Sequence, residues 1–129
     1  MASLLERRET AVLEAHRRSV HASPQEASAY LQDMLTQRLT AFICNVKDGK
    51  TVARWAQGSV SEIRPQSEQR LRAAYEIATL LLQFDSPQTV RAWFMGLNPQ
   101  LDDISPATAL HDGRFAEALA AARAFVAGG

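Results

Sequence analysis

The sequence predicts an all-α fold, and three observations carry that prediction. No stretch alternates apolar and polar residues with β-branched enrichment, so strand signatures are scarce. Helix-start grammar recurs instead: Ser3-Leu4-Leu5-Glu6, Ser23-Pro24-Gln25-Glu26, Ser86-Pro87 and Ser105-Pro106 each set a hydroxyl N-cap ahead of a candidate helix. Between these starts, apolar residues return at spacings of three and four.

In chain order, Ser3 opens a helix to about His21 whose apolar stripe is thin. Ser23 opens the next, with Ala27, Tyr30, Leu31, Met34 and Leu35 on one face. Thr36 caps a short helix through Cys44, and another runs from about Gly49 to Gln57 with Gly58 as its stop. The longest periodic stretch follows Pro65, where Leu71, Ala74, Tyr75, Ala78, Leu81 and Leu82 form the predicted buried face. Pro87 starts a helix that turns Val90, Trp93 and Phe94 inward and ends at Gly96. Residues 97–104 read as an ordered loop, Pro106 starts a short helix ended by Gly113, and a last helix runs from Arg114 to about Val126. Its inward face is expected to hold Phe115, Ala118, Leu119, Ala122 and Val126. Gly58 to Gln66 is the linker between two stretches, 1–65 and 66–129.

Composition narrows the function classes. At 129 residues the chain holds one compact unit or two small subdomains, which excludes a large multidomain enzyme. Fourteen basic residues balance fourteen acidic ones, which disfavours nucleic-acid binding by bulk basicity. The distribution is uneven: residues 39–72 carry six basic against three acidic side chains, and residues 73–129 carry three against six. The most apolar run, Ala78 to Phe84, is far shorter than the roughly 20 residues of a membrane span. Glu6, Arg7, Arg8 and Glu9 stand where a signal peptide would need an apolar core, so a cytoplasmic location is expected. The single cysteine, Cys44, beside Phe42 and Ile43, reads as a buried free thiol.

Catalytic signatures are missing from the pattern. His16, His21 and His111 lie far apart, no paired cysteine or HExxH spacing occurs, and no glycine-rich phosphate cradle is present. The expectation is a protein that is not an enzyme and uses no metal or cofactor. His111-Asp112-Gly113 reads as a helix stop, and Asp102-Asp103 as carboxylates that complement the helix N-terminus at Ser105-Pro106.

Residues 35–58 are more informative. Two short helices joined by a tight turn, with small Ala41, turn-tolerant Asn45 and apolar Val46 and Val52, follow helix-turn-helix grammar. If the second helix enters a major groove, Lys50, Thr51 and Arg54, with Lys47 in the turn, are the DNA-binding candidates.

That motif, together with Trp93-Phe94, Asn98-Pro99-Gln100-Leu101, Ser105-Pro106, Leu110, Asp112-Gly113 and Leu119, resembles the Xre/MbcA/ParS-type antitoxins that pair with RES-domain toxins. The likeness spans about residues 34–126. It implies an Xre-like helix-turn-helix half followed by a small helical toxin-binding domain, and a homodimer within a toxin–antitoxin hetero-oligomer. It further implies that the chain occludes the active site of an NAD-degrading toxin and represses its own operon by binding operator DNA. Carried onto this chain, the toxin-facing residues are Arg114, Arg123, Phe125, Gly128 and Gly129, while Trp93, Asn98, Pro99, Pro106 and Gly113 are scaffold. The sequence departs from the common Xre pattern at the turn: Asn45 stands where glycine is usual, and Val52 falls one residue late. A stand-alone Xre-like transcriptional regulator is the alternative reading.

Overall fold

A computed structural model describes residues 3–59 and 62–128, and among these every regular element is a helix. The elements are α1 (Leu4–His21), α2 (Pro24–Leu35), α3 (Gln37–Cys44), α4 (Gly49–Ala56), α5 (Pro65–Leu81), α6 (Pro87–Met95), α7 (Pro106–His111) and α8 (Phe115–Val126), with one 3-10 turn at Pro99–Leu101. No helix among the described residues is long and apolar enough to cross a membrane.

The starts lie where local chemistry sets them. Ser3, Ser23, Ser86 and Ser105 each accept a hydrogen bond from the backbone N–H three residues on, and proline follows directly in the last three. Asp48 caps α4 in the same way through Thr51 N–H. Thr36 serves two helices at once, ending α2 and capping α3 through Leu39 N–H at 3.2 Å. Its φ of 95° with ψ of 156° is a region that β-branched residues avoid.

The core gathers around α5. Helices α1, α2, α3, α7 and α8 all pack on it, α4 packs on α2 and α3, and α6 packs on α2 and α7. A helix surrounded in this way cannot bury a single stripe. Ile77 and Leu80, which lie off the expected face, are fully buried, whereas Tyr75 and Leu82 are only half-buried. The inward face of α8 is likewise turned from the expectation. Ala118, Ala121, Ala122 and Val126 are buried, while Phe115 and Leu119 stay half-buried beside a cavity between α5 and α8 that His16 of α1 borders. On α6, Val90 and Phe94 are buried and Trp93 is half-buried. Helix α1 meets α5 through Ala11, Ala15 and Ser19, small residues four apart that allow close approach.

Buried side chains from Ala11 to Val126 form one continuous cluster that runs through both 1–65 and 66–129. Of the expected linker, residues 60 and 61 lie outside the described residues, Ile63 packs against the core, and Pro65 already begins α5.

Candidate interaction surfaces

Helices α3 and α4 form the turn anticipated between residues 35 and 58. Asn45 takes the left-handed conformation (φ 58°, ψ 47°), and Val46 N–H donates to Ala41 O at 3.0 Å across the reversal. Gly49 is required by closeness: a Cβ there would lie 2.9 Å from Gln37 Cβ. Val52 and Trp55 bury the inner face of α4. Its outer face carries the exposed Lys50 and Arg54, one turn apart, and exposed Lys47 precedes it. Thr51 differs from these three. It is half-buried, and its hydroxyl lies 3.4 Å from Asp48 Oδ1, so the α4 N-terminus already holds a carboxylate.

The basic surplus of residues 39–72 divides between two uses. Arg72 donates from one terminal nitrogen to Ser19 O at 2.8 Å and Ala22 O at 2.9 Å, closing the C-terminus of α1, while its Nε bonds Glu68. Arg70 donates to His111 O and Gln66 O, both at 2.9 Å, and its guanidinium lies 5.9 Å from the Phe115 ring centre. Further along, Arg91 closes the end of α2 through Met34 O at 3.0 Å. The remaining four cations, Lys47, Lys50, Arg54 and Arg64, make no ion pair among the described residues. Three of them, Lys47, Arg54 and Arg64, line one cleft of about 380 Å³. Arg64 was not anticipated there, because it falls in the expected linker; its place among the basic residues 39–72 was the available signal. Arg38 lines a neighbouring recess with Lys47, and no local pattern marked it.

At the opposite end of the sequence, the expected toxin-facing residues do not form one group. Arg114 bonds Glu117 and reaches Asp102 Oδ2 at 3.2 Å, so its charge is met within the chain. The Glu117 hydrogen bond holds the Arg114 pKa above its ordinary value and, reciprocally, holds Glu117 below the usual carboxylate range. Arg123 is exposed and lines the groove between α1 and α8. Phe125 is half-buried, its ring 6.2 Å from that of Trp93. Gly128 turns the chain at φ +86° in open space. Gly129 lies outside the described residues.

The loop 97–104 is held by its own backbone. Asn98 N–H donates to Ile104 O, Asn98 O accepts from Leu101 and Asp103, and its Oδ1 accepts from Gln100 N–H at 2.9 Å. Leu101 is thereby driven into the core. Asp102 and Asp103 have φ of 58° and 62°, so they form the left-handed turn of this loop, and Asp102 serves Arg114 in addition. His111 does more than end α7: its ring stacks on Phe42 at 4.6 Å, and Nδ1–H donates to Phe42 O at 2.7 Å. Among the described residues no three metal-ligating side chains gather.

No protein-family model, curated protein or solved structure matches this chain.

Proposed function

We propose that the chain is an antitoxin that neutralises an NAD-degrading RES-domain toxin by blocking the entrance to its active site, and that it makes and breaks no bond itself. The observation that carries this reading is the packing of Trp93, the first residue of the antitoxin-like pattern, against Phe125, the last aromatic of α8. That contact ties the end of α8 to α6, and α8 also packs on the 3-10 turn of the Asn98 loop, so the end of the last helix is held in place as a steric plug needs. Phe125 and the Gly128–Gly129 tail are the toxin-facing end in this reading. Arg114 is engaged by Glu117 and Asp102 and acts as a local brace.

The test is co-expression with the protein encoded beside it, scored for growth and for co-purification. The full chain is expected to restore growth and to form a stable complex. A chain ending at Ala124 is expected to lose both. Unchanged toxicity beside equimolar full-length chain would overturn the proposal.

A second reading, a stand-alone regulator that binds operator DNA, is favoured by Lys47, Lys50, Arg54 and Arg64 around α4, which make no ion pair among the described residues. Phosphate contacts from such residues release counterions, so binding should weaken steeply with salt. In that reading the chain ending at Ala124 keeps its DNA affinity, while Lys50→Ala and Arg54→Ala lower it and flatten the salt dependence.

A further inference from the structure

Helix α5 begins without a side-chain cap, since Arg64 stands at its N-cap position and makes no capping hydrogen bond. Pro65 has no N–H to offer, and Glu68 N–H bonds Arg64 O at 2.9 Å. The N–H groups of Gln66 and Ser67 are left without a hydrogen bond among the described residues, at the positive end of a 17-residue helix. Such a terminus attracts an anion, but exposed to solvent it is equally well served by water.

The cleft of about 380 Å³ between α4 and the start of α5 adds buried donors to that terminus. Trp55 and Ser67 both line it, and each is only 5% exposed. Neither the Trp55 indole N–H nor the Ser67 hydroxyl has a hydrogen-bond partner among the described residues. Neither is sealed from the cleft, because the one sealed side-chain polar atom without a partner among those residues is Arg8 Nε. Buried polar groups are ordinarily paired, so two buried donors on one cleft call for an acceptor inside it. An indole N–H can only donate. Around them, exposed Lys47, Arg54 and Arg64 set three positive charges against the single carboxylate of Glu62.

These donors come from α4 on one side and from α5 on the other, more directions than the single plane of a carboxylate serves. A phosphoryl group presents its oxygens tetrahedrally and takes guanidinium forks, a hydroxyl, an indole N–H and backbone N–H groups together. Duplex DNA is a poorer occupant. Lys50, the exposed cation at the head of α4, does not line the cleft, and Trp55 and Ser67 are recessed beneath the surface that a groove-bound α4 would present.

We infer that the cleft between α4 and the start of α5 binds the phosphoryl group of a small molecule, orthophosphate or a phosphate monoester, through Arg54, Arg64, the Trp55 indole N–H and Ser67. Such a site requires neither a toxin nor an operator.

Nuclear magnetic resonance of the nitrogen-labelled full chain tests it, with pH held fixed and ionic strength balanced by sodium chloride. Inorganic phosphate should move the Gln66 and Ser67 amide signals and the Trp55 indole signal along one saturable curve, with a Kd of about 1 mM. Arg64→Ala should weaken that binding about tenfold and Ser67→Ala about threefold, with circular dichroism unchanged in both. Lys50→Ala, outside the cleft, should leave the curve where it was. A second titration with adenosine monophosphate separates the sources: tighter binding than that of phosphate assigns the site to an ester, and equal or weaker binding assigns it to the free ion. No saturation by about 20 mM phosphate would overturn the inference. So would shifts that sodium chloride alone reproduces, or an Arg64→Ala curve that matches the wild type. A short DNA duplex that moves these signals where neither phosphate nor adenosine monophosphate does would give the cations to DNA and equally overturn it.

Discussion

A buried or half-buried arginine that ends a distant helix contributes more than its charge. Arg72 meets two carbonyls that α1 cannot satisfy itself, 2.8 and 2.9 Å away, from a position 53 and 50 residues later. Arg72→Met keeps most of the stem but leaves Ser19 O and Ala22 O without their donor, and should cost about 2 kcal/mol in urea unfolding. Arg72→Lys should recover little, because one ammonium cannot reproduce the fork that also holds Glu68. Thr36 presents the reverse case. Its backbone, at φ 95°, is strained by about 1–3 kcal/mol for a residue with a branched Cβ. Thr36→Gly releases that strain, loses a few tenths of a kcal/mol as a cap, and adds up to about 1 kcal/mol of unfolded-chain freedom. The balance predicts a gain of about 1 kcal/mol, read as a Tm higher by about 4 °C. Cys44 is fully buried, and burial raises its thiol pKa to about 12. At pH 8 the native chain should therefore leave a thiol reagent unreacted, and the urea-unfolded chain should consume one equivalent.

At the scale of elements, the start of α8 is held by charge. Glu117 is stabilised as the carboxylate chiefly by its hydrogen bond to Arg114, with Asp102 adding to the same guanidinium. A folded-state pKa below the unfolded value contributes stability at neutral pH and loses it as pH falls through the folded pKa. The wild-type chain should therefore exceed Arg114→Gln in stability at pH 7, and the gap should close as pH drops below the ordinary carboxylate value of 4.5. Matched urea titrations across that range would show a constant gap if the pair contributed nothing through ionisation. Much of this level was readable in the sequence. Serine followed by proline marks α2, α6 and α7 because capping is a local transaction between residues three apart. The unread part is long-range. Nothing near Arg70, Arg72 or Arg91 announces that each will close another helix, and nothing near His111 announces Phe42. For the candidate surfaces the same divide holds: Lys47, Lys50 and Arg54 follow from the turn, but the engagement of Arg114 and the arrival of Arg64 depend on folding.

For the whole molecule, the decisive feature is that α5 belongs to both stretches of the chain. It begins at Pro65, at the boundary that composition suggests, and then takes α1, α2 and α3 on some sides and α7 and α8 on others. The ties across that boundary are specific as well as apolar: Arg72 to α1, Arg91 to α2, and His111 stacked on Phe42 of α3. Removing residues 1–64 would expose one side of α5, including faces packed by Ala11, Ala15, Leu31 and Ile43, and would leave the donors of Arg72 and Arg91 without acceptors. Apolar area lost on that scale costs more than a small domain's net stability of about 5–15 kcal/mol. Residues 66–129 alone should therefore fail to fold, and the intact chain should melt in one transition with equal calorimetric and van't Hoff enthalpies. Two resolved transitions, or a cooperatively folded 66–129 fragment, would mean that the shared helix does not couple the halves. If the chain melts in that single transition, a ligand that binds only the folded state at α4 should raise the unfolding free energy read at the end of α8 by the same amount as that read at α4.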